Sequence, residues 1–264
     1  MIKKKRKGLK TAIMSHRGGC GKTYSVHMLT SILSSLGKKV LVLDGCSTGA
    51  MTRRLLPQKV LDNSKELITL YNILCSPKKY HWADACYKSD RYRNVFAIPT
   101  DYGLGDEIAP VLRRISPRNS EKALSKILAG MEDTFDHILF DCNNGVHQFN
   151  QAILDWSDRY ITPSNKTCDG LSSAMDIQDL ATEMGLDPKS HLGLLLCGVP
   201  NQKSSKKAFN KKLSGYKGKI LGRTPESQKI DEYANDGKTF FDVKSYKYHP
   251  LTKVYTEIVK KHFR

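Results

Sequence analysis

The chain has 264 residues, of which 39% are hydrophobic, and a formal net charge of +17. This size allows one large α/β core and would crowd two, while the charge favours a polyanionic partner, with nucleic acid ahead of an anionic membrane surface. No apolar run approaches the ~20 residues of a membrane span, and no apolar core of a signal peptide follows the basic N-terminus. The seven cysteines are scattered and contain no C-x-x-C pair. We therefore expect a cytosolic protein without a membrane span, a disulfide framework or a zinc site.

The positive charge is concentrated in two segments. Residues 1–43 contain ten Lys or Arg and residues 188–225 contain nine, and neither segment contains an acidic residue. The chain begins "MIKKKRKGLK", and its KKKRK run is typical of a solvated tail, of a clamp for phosphates or, in a eukaryotic protein, of a nuclear import signal. We predict a basic tail over residues 1–10 and a single domain over residues 11–264.

The first predicted unit is a strand, a glycine loop and a helix. The apolar segment "TAIMS" (11–15) predicts a short buried strand that leads into "SHRGGCGKTY" (15–24). A helix is predicted from Lys22 to a closing Gly37, and the apolar run "KVLVLD" (39–44) predicts a buried parallel strand that ends on Asp44. The apolar stripe of the helix consists of Val26, Leu29, Ile32, Leu33 and Leu36.

The same alternation continues along the chain. Further strands are predicted at 94–100, 137–141, 159–163 and 192–198, and further helices at 120–131 and 170–184. Strands that alternate with helices predict an α/β fold with a doubly wound, mostly parallel sheet and helices on both faces. The segment 201–219, rich in Lys, Ser and Gly, is predicted to form an exposed loop or a loop with a helix.

The glycine loop has the chemistry of a phosphate site, although His16 replaces the first glycine of the common G-x-x-x-x-G-K-[ST] pattern. Glycines allow backbone N–H groups to close around phosphates, Lys22 adds a point charge, and the Thr23 hydroxyl can bind Mg²⁺. The predicted nucleotide-binding residues are Gly18, Gly19, Cys20, Gly21, Lys22, Thr23 and Tyr24.

Asp141 ends the apolar run "FDHILFD" (135–141). In a parallel sheet this position lets a carboxylate reach a magnesium ion opposite the phosphate loop, although an aspartate there can also simply cap the next helix. With the loop upstream, we predict a metal site formed by Thr23 and Asp141.

Five segments in the same order resemble the ParA/Soj/MinD class of deviant Walker ATPases, whose loop reads K-G-G-x-G-K-[ST] and lacks the first glycine. The chain looks most like the short ParA proteins that partition chromosomes and plasmids, and the resemblance implies a P-loop NTPase fold with ATP and Mg²⁺ as cofactors. The segments are RGGCGKT (17–23), VLVLDGCSTGA (40–50), TLYNIL (69–74), IPTDYGLGDEI (98–108) and FDHILFDCNNG (135–145).

The resemblance also implies a working cycle. Members of the class form a homodimer around two ATP molecules, bind double-stranded DNA nonspecifically in that state, and release it after hydrolysis stimulated by a ParB-type partner. For this chain it implies segregation of plasmid or chromosomal DNA in the cytoplasm, in association with the nucleoid. Lys22 and Thr23 match the phosphate and magnesium positions of the class, and Asp141 matches its second metal carboxylate.

The sequence departs from the class at three places. Arg17 occupies the position of the signature lysine, which reaches the nucleotide of the other subunit, and an arginine keeps that charge. Cys46 replaces the second aspartate of the D-x-D-P-Q-G motif, whose first aspartate is Asp44, and Asn143–Asn144 replace a Pro-Pro pair. The expected catalytic residues are Arg17, Lys22, Asp44 and Cys46. Because a thiol poorly replaces a water-positioning carboxylate, we expect nucleotide binding with slow hydrolysis.

A lysine cluster in the second basic segment is the predicted DNA-binding surface, although such a cluster can also simply solubilise a loop. It consists of Lys203, Lys206, Lys207, Lys211, Lys212, Lys217 and Lys219.

Two other functions stay open. The protein could be a catalytically silent, nucleotide-dependent DNA-binding switch, because of Cys46. It could also be a MinD-like ATPase that cycles on membranes, if the apolar stripe of the last helix binds lipid, but we expect this stripe to face the core. A relative of the nitrogenase iron protein would need cluster-binding cysteines, and the scattered cysteines give no such pattern. The stripe consists of Leu251, Val254, Tyr255, Ile258 and Val259.

Overall fold

The fold is built on one eight-stranded sheet with the order β3-β4-β2-β5-β1-β6-β7-β8. The computed structural model describes residues 7–63, 66–100, 120–145, 148–199 and 207–264. Every strand pairs in parallel except β3, which is antiparallel to β4. The strands are β1 Leu9–Ile13, β2 Val40–Asp44, β3 Tyr87–Lys88, β4 Val95–Ile98, β5 His137–Asp141, β6 Arg159–Ser164, β7 His191–Leu196 and β8 Ile220–Arg223.

Helices cover both faces of the sheet. In the described part of the chain they are α1 Lys22–Ser35, α2 Ala50–Leu55, α3 Gln58–Asp62, α4 Leu70–Cys75, α5 Ser120–Ile127, α6 Met131–Thr134, α7 Gln148–Trp156, α8 Cys168–Glu183, α9 Lys207–Ser214, α10 Lys229–Asn235 and α11 Pro250–His262. Short 3₁₀ helices lie at Trp82–Ala85, Pro188–Ser190 and Lys244–Tyr246.

The core consists of two layers that the sheet separates. Strand β2 shows why, since Leu41 and Leu43 point into the layer formed with α4, α5, α7 and α8, while Val40 and Val42 point into the layer formed with α1, α2 and α11. Both faces of the strand are buried, which explains its continuous apolar sequence. This arrangement confirms the predicted doubly wound, mostly parallel sheet.

The boundaries of the first unit differ from the prediction. The strand predicted at 11–15 lies at Leu9–Ile13 instead, so it includes two residues assigned to the tail, of which residues 1–6 lie outside the described part. Helix α1 ends as predicted at Gly37, whose φ is 75° and whose N–H donates to Ser34, while Lys38 N–H donates to Leu33. Leu36 was expected in the buried stripe but is 59% exposed, because it follows the last helical turn.

The apolar stripe of α11 faces the core as expected. Leu251, Tyr255, Ile258 and Val259 are each at most 2% exposed and pack with α1 in the layer on that side of the sheet. Within the described residues, no helix combines the length and the apolar character needed to cross a membrane.

Candidate functional site

The glycine loop connects β1 to α1 at the carboxyl edge of the sheet. Gly19 and Gly21 adopt positive φ angles of 69° and 91°, and Gly21 forms the N-cap of α1. A Cβ atom at Gly21 would lie 2.9 Å from Cys197 Sγ, so both the backbone conformation and the space require glycine there. The backbone N–H groups of residues 18–21 donate to no described residue, which leaves them available to an anion.

Lys22 is the buried cation at the mouth of this loop. Its side chain is 6% exposed, and its Nζ donates to the carbonyl of Arg17 at 3.0 Å and to Asn144 Oδ1 at 2.6 Å. One of the two asparagines that depart from the family pattern therefore positions this lysine. No local sequence pattern indicates this contact, because the two residues lie 122 positions apart.

Asp44 and Asp141 lie side by side, because they are register partners at the ends of β2 and β5. Asp44 accepts three hydrogen bonds, from Cys46 N at 3.2 Å, from Thr52 N at 2.7 Å and from the Thr52 hydroxyl at 2.8 Å. Oδ2 thus anchors α2 to the end of β2, and Oδ1 holds the loop between them. This structural use differs from the catalytic role expected for Asp44.

Asp141 is fully buried, and neither of its carboxylate oxygens has a hydrogen-bond partner among the described residues. Burial and the neighbouring charge of Asp44 raise its pKa to about 7, while Thr23 and Lys22 act in the opposite direction. A buried carboxylate without a donor, close to a threonine hydroxyl, has the chemistry of a magnesium ligand. The residues present therefore fit the predicted metal site.

Cys46 lies in the same cleft and is 7% exposed. Its Sγ is 3.2 Å from the Thr48 hydroxyl oxygen and 3.9 Å from Asn143 Oδ1. The thiol therefore lies among polar neutral groups at the position where the resemblance places a water-orienting carboxylate.

Arg17 is on the outer side of the loop, against α8. Its Nη1 donates to Asp169 Oδ2 at 2.6 Å, and its backbone N–H donates to Ser173 Oγ at 2.9 Å. Ser173 Oγ also lies 3.1 Å from Ser15 Oγ, so α8 supports the loop from outside. The Arg17 side chain is 47% exposed and the Asp169 side chain 72% exposed. An ion pair this exposed contributes about 0–1 kcal/mol, so little opposes its rearrangement.

A cleft of about 660 Å³ joins the loop to the carboxyl ends of β6, β7 and β8. A slightly larger groove beside α3 and β3 does not include the glycine loop, so we assign the site to the cleft that does. The sequence did not point to the far end of the cleft, although residues after parallel strands are the expected place for ligand contacts. The residues it missed are Asn144, Asn165, Lys166, Thr224, Glu226 and Asp231.

The predicted lysine cluster is divided between different parts of the fold. Lys203 and Lys206 lie outside the described residues, and Lys207 begins α9. Lys212 donates to Ser172 Oγ on α8, whereas Lys219 Nζ lies 3.4 Å from His262 Nε2 at the end of α11.

Two lysines of the cluster remain open to solvent. Lys211 and Lys217 are both exposed, and no hydrogen bond or ion pair engages either of their ammonium groups among the described residues.

A strand, a glycine loop and a helix, with a lysine in the first turn and carboxylates from two adjacent strands, define the P-loop NTPase fold. Residues 9–185 match the family described as an AAA domain. The chain belongs to this family and, within it, to the ParA/Soj/MinD class. The chromosome-partitioning ATPase Soj of Treponema pallidum is 31% identical over 135 residues, which cover 51% of this chain and 48% of Soj. The chain spans about half the length of the curated relatives it matches.

Solved structures share the fold over almost the whole chain. McdA of Cyanothece, in an ATP complex, has a TM-score of 0.78 at 20% identity and covers 97% of this chain and 96% of its own. A plasmid partition protein of Borrelia burgdorferi has a TM-score of 0.70 at 19% identity, with coverages of 97% and 100%. MinD of Pyrococcus horikoshii, complexed with Mg-ADP, has a TM-score of 0.69 at 22% identity, with coverages of 96% and 97%.

Proposed function

We propose that this protein is a partition ATPase that binds ATP with Mg²⁺, dimerises around two nucleotides, binds double-stranded DNA nonspecifically and segregates plasmid or chromosomal DNA. The observation that carries the proposal is Asp141, a buried carboxylate without a donor opposite the glycine loop. Such a group is costly in a protein that never binds a cation there.

The chain's own residues supply each part of the nucleotide site. The N–H groups of residues 18–21 would receive the phosphates, Lys22 would neutralise them, and Thr23 and Asp141 would hold the metal. Bound Mg²⁺ would offset negative charge on the phosphate oxygens. Lys22 would exchange its contact with Asn144 for a phosphate, and this exchange would release the asparagine amide toward the cleft.

Hydrolysis is the slow step of the proposed cycle. Thr48 and Asn143 contact Cys46, and none of these three side chains is the carboxylate that the family pattern places here to orient water. Asp44 is held by three donors, two from Thr52 of α2 and one from the backbone of Cys46 in the preceding loop. Loss of a general base costs about 10²–10⁴-fold in rate. The same observation favours a second candidate, a DNA-binding switch that responds to nucleotide without hydrolysing it.

Dimerisation would depend on Arg17. Its guanidinium is exposed beside the loop and paired only to an exposed carboxylate, so it can turn to the phosphates of a second subunit. The planar fork of an arginine suits bidentate contact with a phosphate.

DNA binding would use the exposed Lys211 of α9 and the exposed Lys217 between α9 and β8, and a ParB-type partner would stimulate release. The proposed location is the cytoplasm, on the nucleoid. The alternative of a MinD-like membrane cycle loses its main support, because the apolar stripe of α11 lies in the core.

The decisive experiment combines nucleotide binding with light scattering. Wild type should bind ATP and become a dimer, Lys22→Ala should bind no nucleotide, and Arg17→Ala should bind ATP but stay monomeric. Arg93→Ala is the matched control, since Arg93 is exposed but precedes β4 at the opposite edge of the sheet. An Arg17→Ala protein that dimerises normally with ATP would refute the contact between subunits, and a Lys22→Ala protein with unchanged affinity would refute the site.

A further inference from the structure

The cleft contains a positive charge that the sequence motifs do not assign. Three described cations line it, namely Lys22, Lys166 and Arg54. Lys22 donates to the Arg17 carbonyl and to Asn144, and Lys166 forms an ion pair with Glu226. Arg54 differs from both, because its Nη1 is enclosed by protein and has no hydrogen-bond partner among the described residues.

Helix α2 fixes the position of Arg54. The helix starts directly after the loop that contains Cys46, and Asp44 accepts from the backbone and the hydroxyl of Thr52, two residues before Arg54. These bonds attach the helix to the end of β2. Arg54 is therefore held at the carboxyl edge of the sheet, on the side of the cleft where Cys46 lies.

Carboxylates lie near Arg54, but no described carboxylate forms an ion pair with it. Burial lowers its pKa, and among its charged neighbours Asp141 raises it most, with a smaller contribution from Asp44. Yet none of the ion pairs between described residues includes Arg54. An enclosed guanidinium nitrogen without an acceptor is costly, and a phosphate oxygen would remove that cost.

We propose that Arg54 binds the terminal phosphate of the nucleoside triphosphate held by the same subunit. This inference rests on the proposed nucleotide site. Arg54 lines the cleft together with Thr23 and Cys46, and Asp141 is the charged neighbour that raises the pKa of Arg54 most. The last phosphate would lie beside these residues. Arg54 would therefore make the site prefer ATP to ADP, while the loop and Lys22 serve both nucleotides.

The adjacent Arg53 provides a matched control. It belongs to the same helix and carries the same charge, but it is exposed and its Nη1 donates to the Thr48 carbonyl at 2.6 Å. A general loss of positive charge near the cleft would affect both variants, whereas a direct phosphate contact would affect only Arg54.

The test is calorimetric titration of the full chain with AMPPNP and with ADP, both with Mg²⁺. For Arg54→Gln the ratio of the ADP dissociation constant to the AMPPNP constant should fall about 10- to 100-fold, the range of a hydrogen bond to a charged group. The ratio should fall less for Arg54→Lys, because lysine keeps the charge but lacks the planar fork of arginine. For Arg53→Gln the ratio should stay within about twofold of the wild-type value. The nucleotide-free Arg54→Gln protein should melt within a few degrees of wild type, because Nη1 has no bond to lose.

Three results would overturn the inference. The first is an unchanged ratio of the ADP to the AMPPNP dissociation constant in Arg54→Gln, and the second is an equal fall of this ratio in Arg53→Gln. The third is a nucleotide-free Arg54→Gln protein that melts far below wild type, because Arg54 would then have a structural role. If wild type bound neither nucleotide, the proposed function would fail together with the inference. If wild type and Arg54→Gln both bound nucleotide and preferred AMPPNP to the same degree, the inference would be wrong but the proposed function would stand.

Discussion

Replacing Asp141 by Asn is expected to stabilise the nucleotide-free protein above neutral pH. The side chain is buried beside Asp44, and no donor lies within normal hydrogen-bond geometry of its oxygens among the described residues, although the Thr23 hydroxyl is near enough to lower its pKa. The amide has nearly the same shape but no charge, so it removes both the desolvation cost and the repulsion between the two carboxylates. If the only role of Asp141 were to stabilise the fold, replacing it would not make the protein more stable.

The magnitude follows from the pKa of Asp141, which burial and Asp44 raise from 3.8 to about 7. A shift of about three units corresponds to at most about 4 kcal/mol. Because the folded pKa lies above the unfolded one, the folded state holds the proton more tightly. The contribution of Asp141 to stability is fully present at low pH and is lost as pH rises through about 7. The gain from Asp141→Asn should therefore be small near pH 4 and largest above pH 7.5.

The assay is urea denaturation followed by circular dichroism, in EDTA, at several pH values between about 4.5 and 8.5. Asp44→Asn is the matched control, since it removes a charge from the same pair but also disrupts three hydrogen bonds that an amide cannot all accept, so it should be about 1–3 kcal/mol less stable than Asp141→Asn at each pH. If Asp141→Asn were no more stable than wild type at pH 8, the charge of Asp141 would already be compensated in the folded protein. Asp141 would then need no cation to balance its charge.

Three further changes test the rest of the proposed function. Cys46→Asp should raise ATP hydrolysis, measured as phosphate release, without tightening nucleotide binding; equal rates would mean that the site lacks more than one group. Lys211→Gln with Lys217→Gln should weaken binding to all DNA sequences and reduce the salt slope of duplex binding by about two, and an unchanged slope would place the DNA surface elsewhere. Gly21→Ala should abolish ATP binding, because its Cβ would approach Cys197 Sγ to 2.9 Å, and normal calorimetric affinity would contradict the loop geometry.

The central strands could be predicted from the sequence because they are buried on both faces. The run HILFD was predicted at 137–141 and forms β5 over the same residues, all of them buried. Strand β8 was missed, since Ile220–Arg223 contains a glycine and an arginine and none of its residues is buried. A half-exposed edge strand of four residues leaves no distinct period in the sequence.

The parts of the site that lie close together in sequence were predictable, and those that meet through the fold were not. The spacing of glycines, Lys22 and Thr23 shows the loop directly. The contact of Lys22 with Asn144 and the pair of Arg17 with Asp169 join residues 122 and 152 positions apart. Arg54 carries no motif, and only its enclosure in the cleft distinguishes it from Arg53.

The place of β1 in the sheet also determines when the nucleotide site can form during synthesis. This strand, made first, lies between β5 and β6, and Thr11 pairs with Arg159, 148 residues later. At about 5–20 residues per second, the ribosome needs roughly 7–30 s to make those partners. The glycine loop follows β1 and is braced by α8, so it stays unformed for that time. Nucleotide would therefore act on the finished fold, and stabilise it by mass action, rather than guide the early steps of folding.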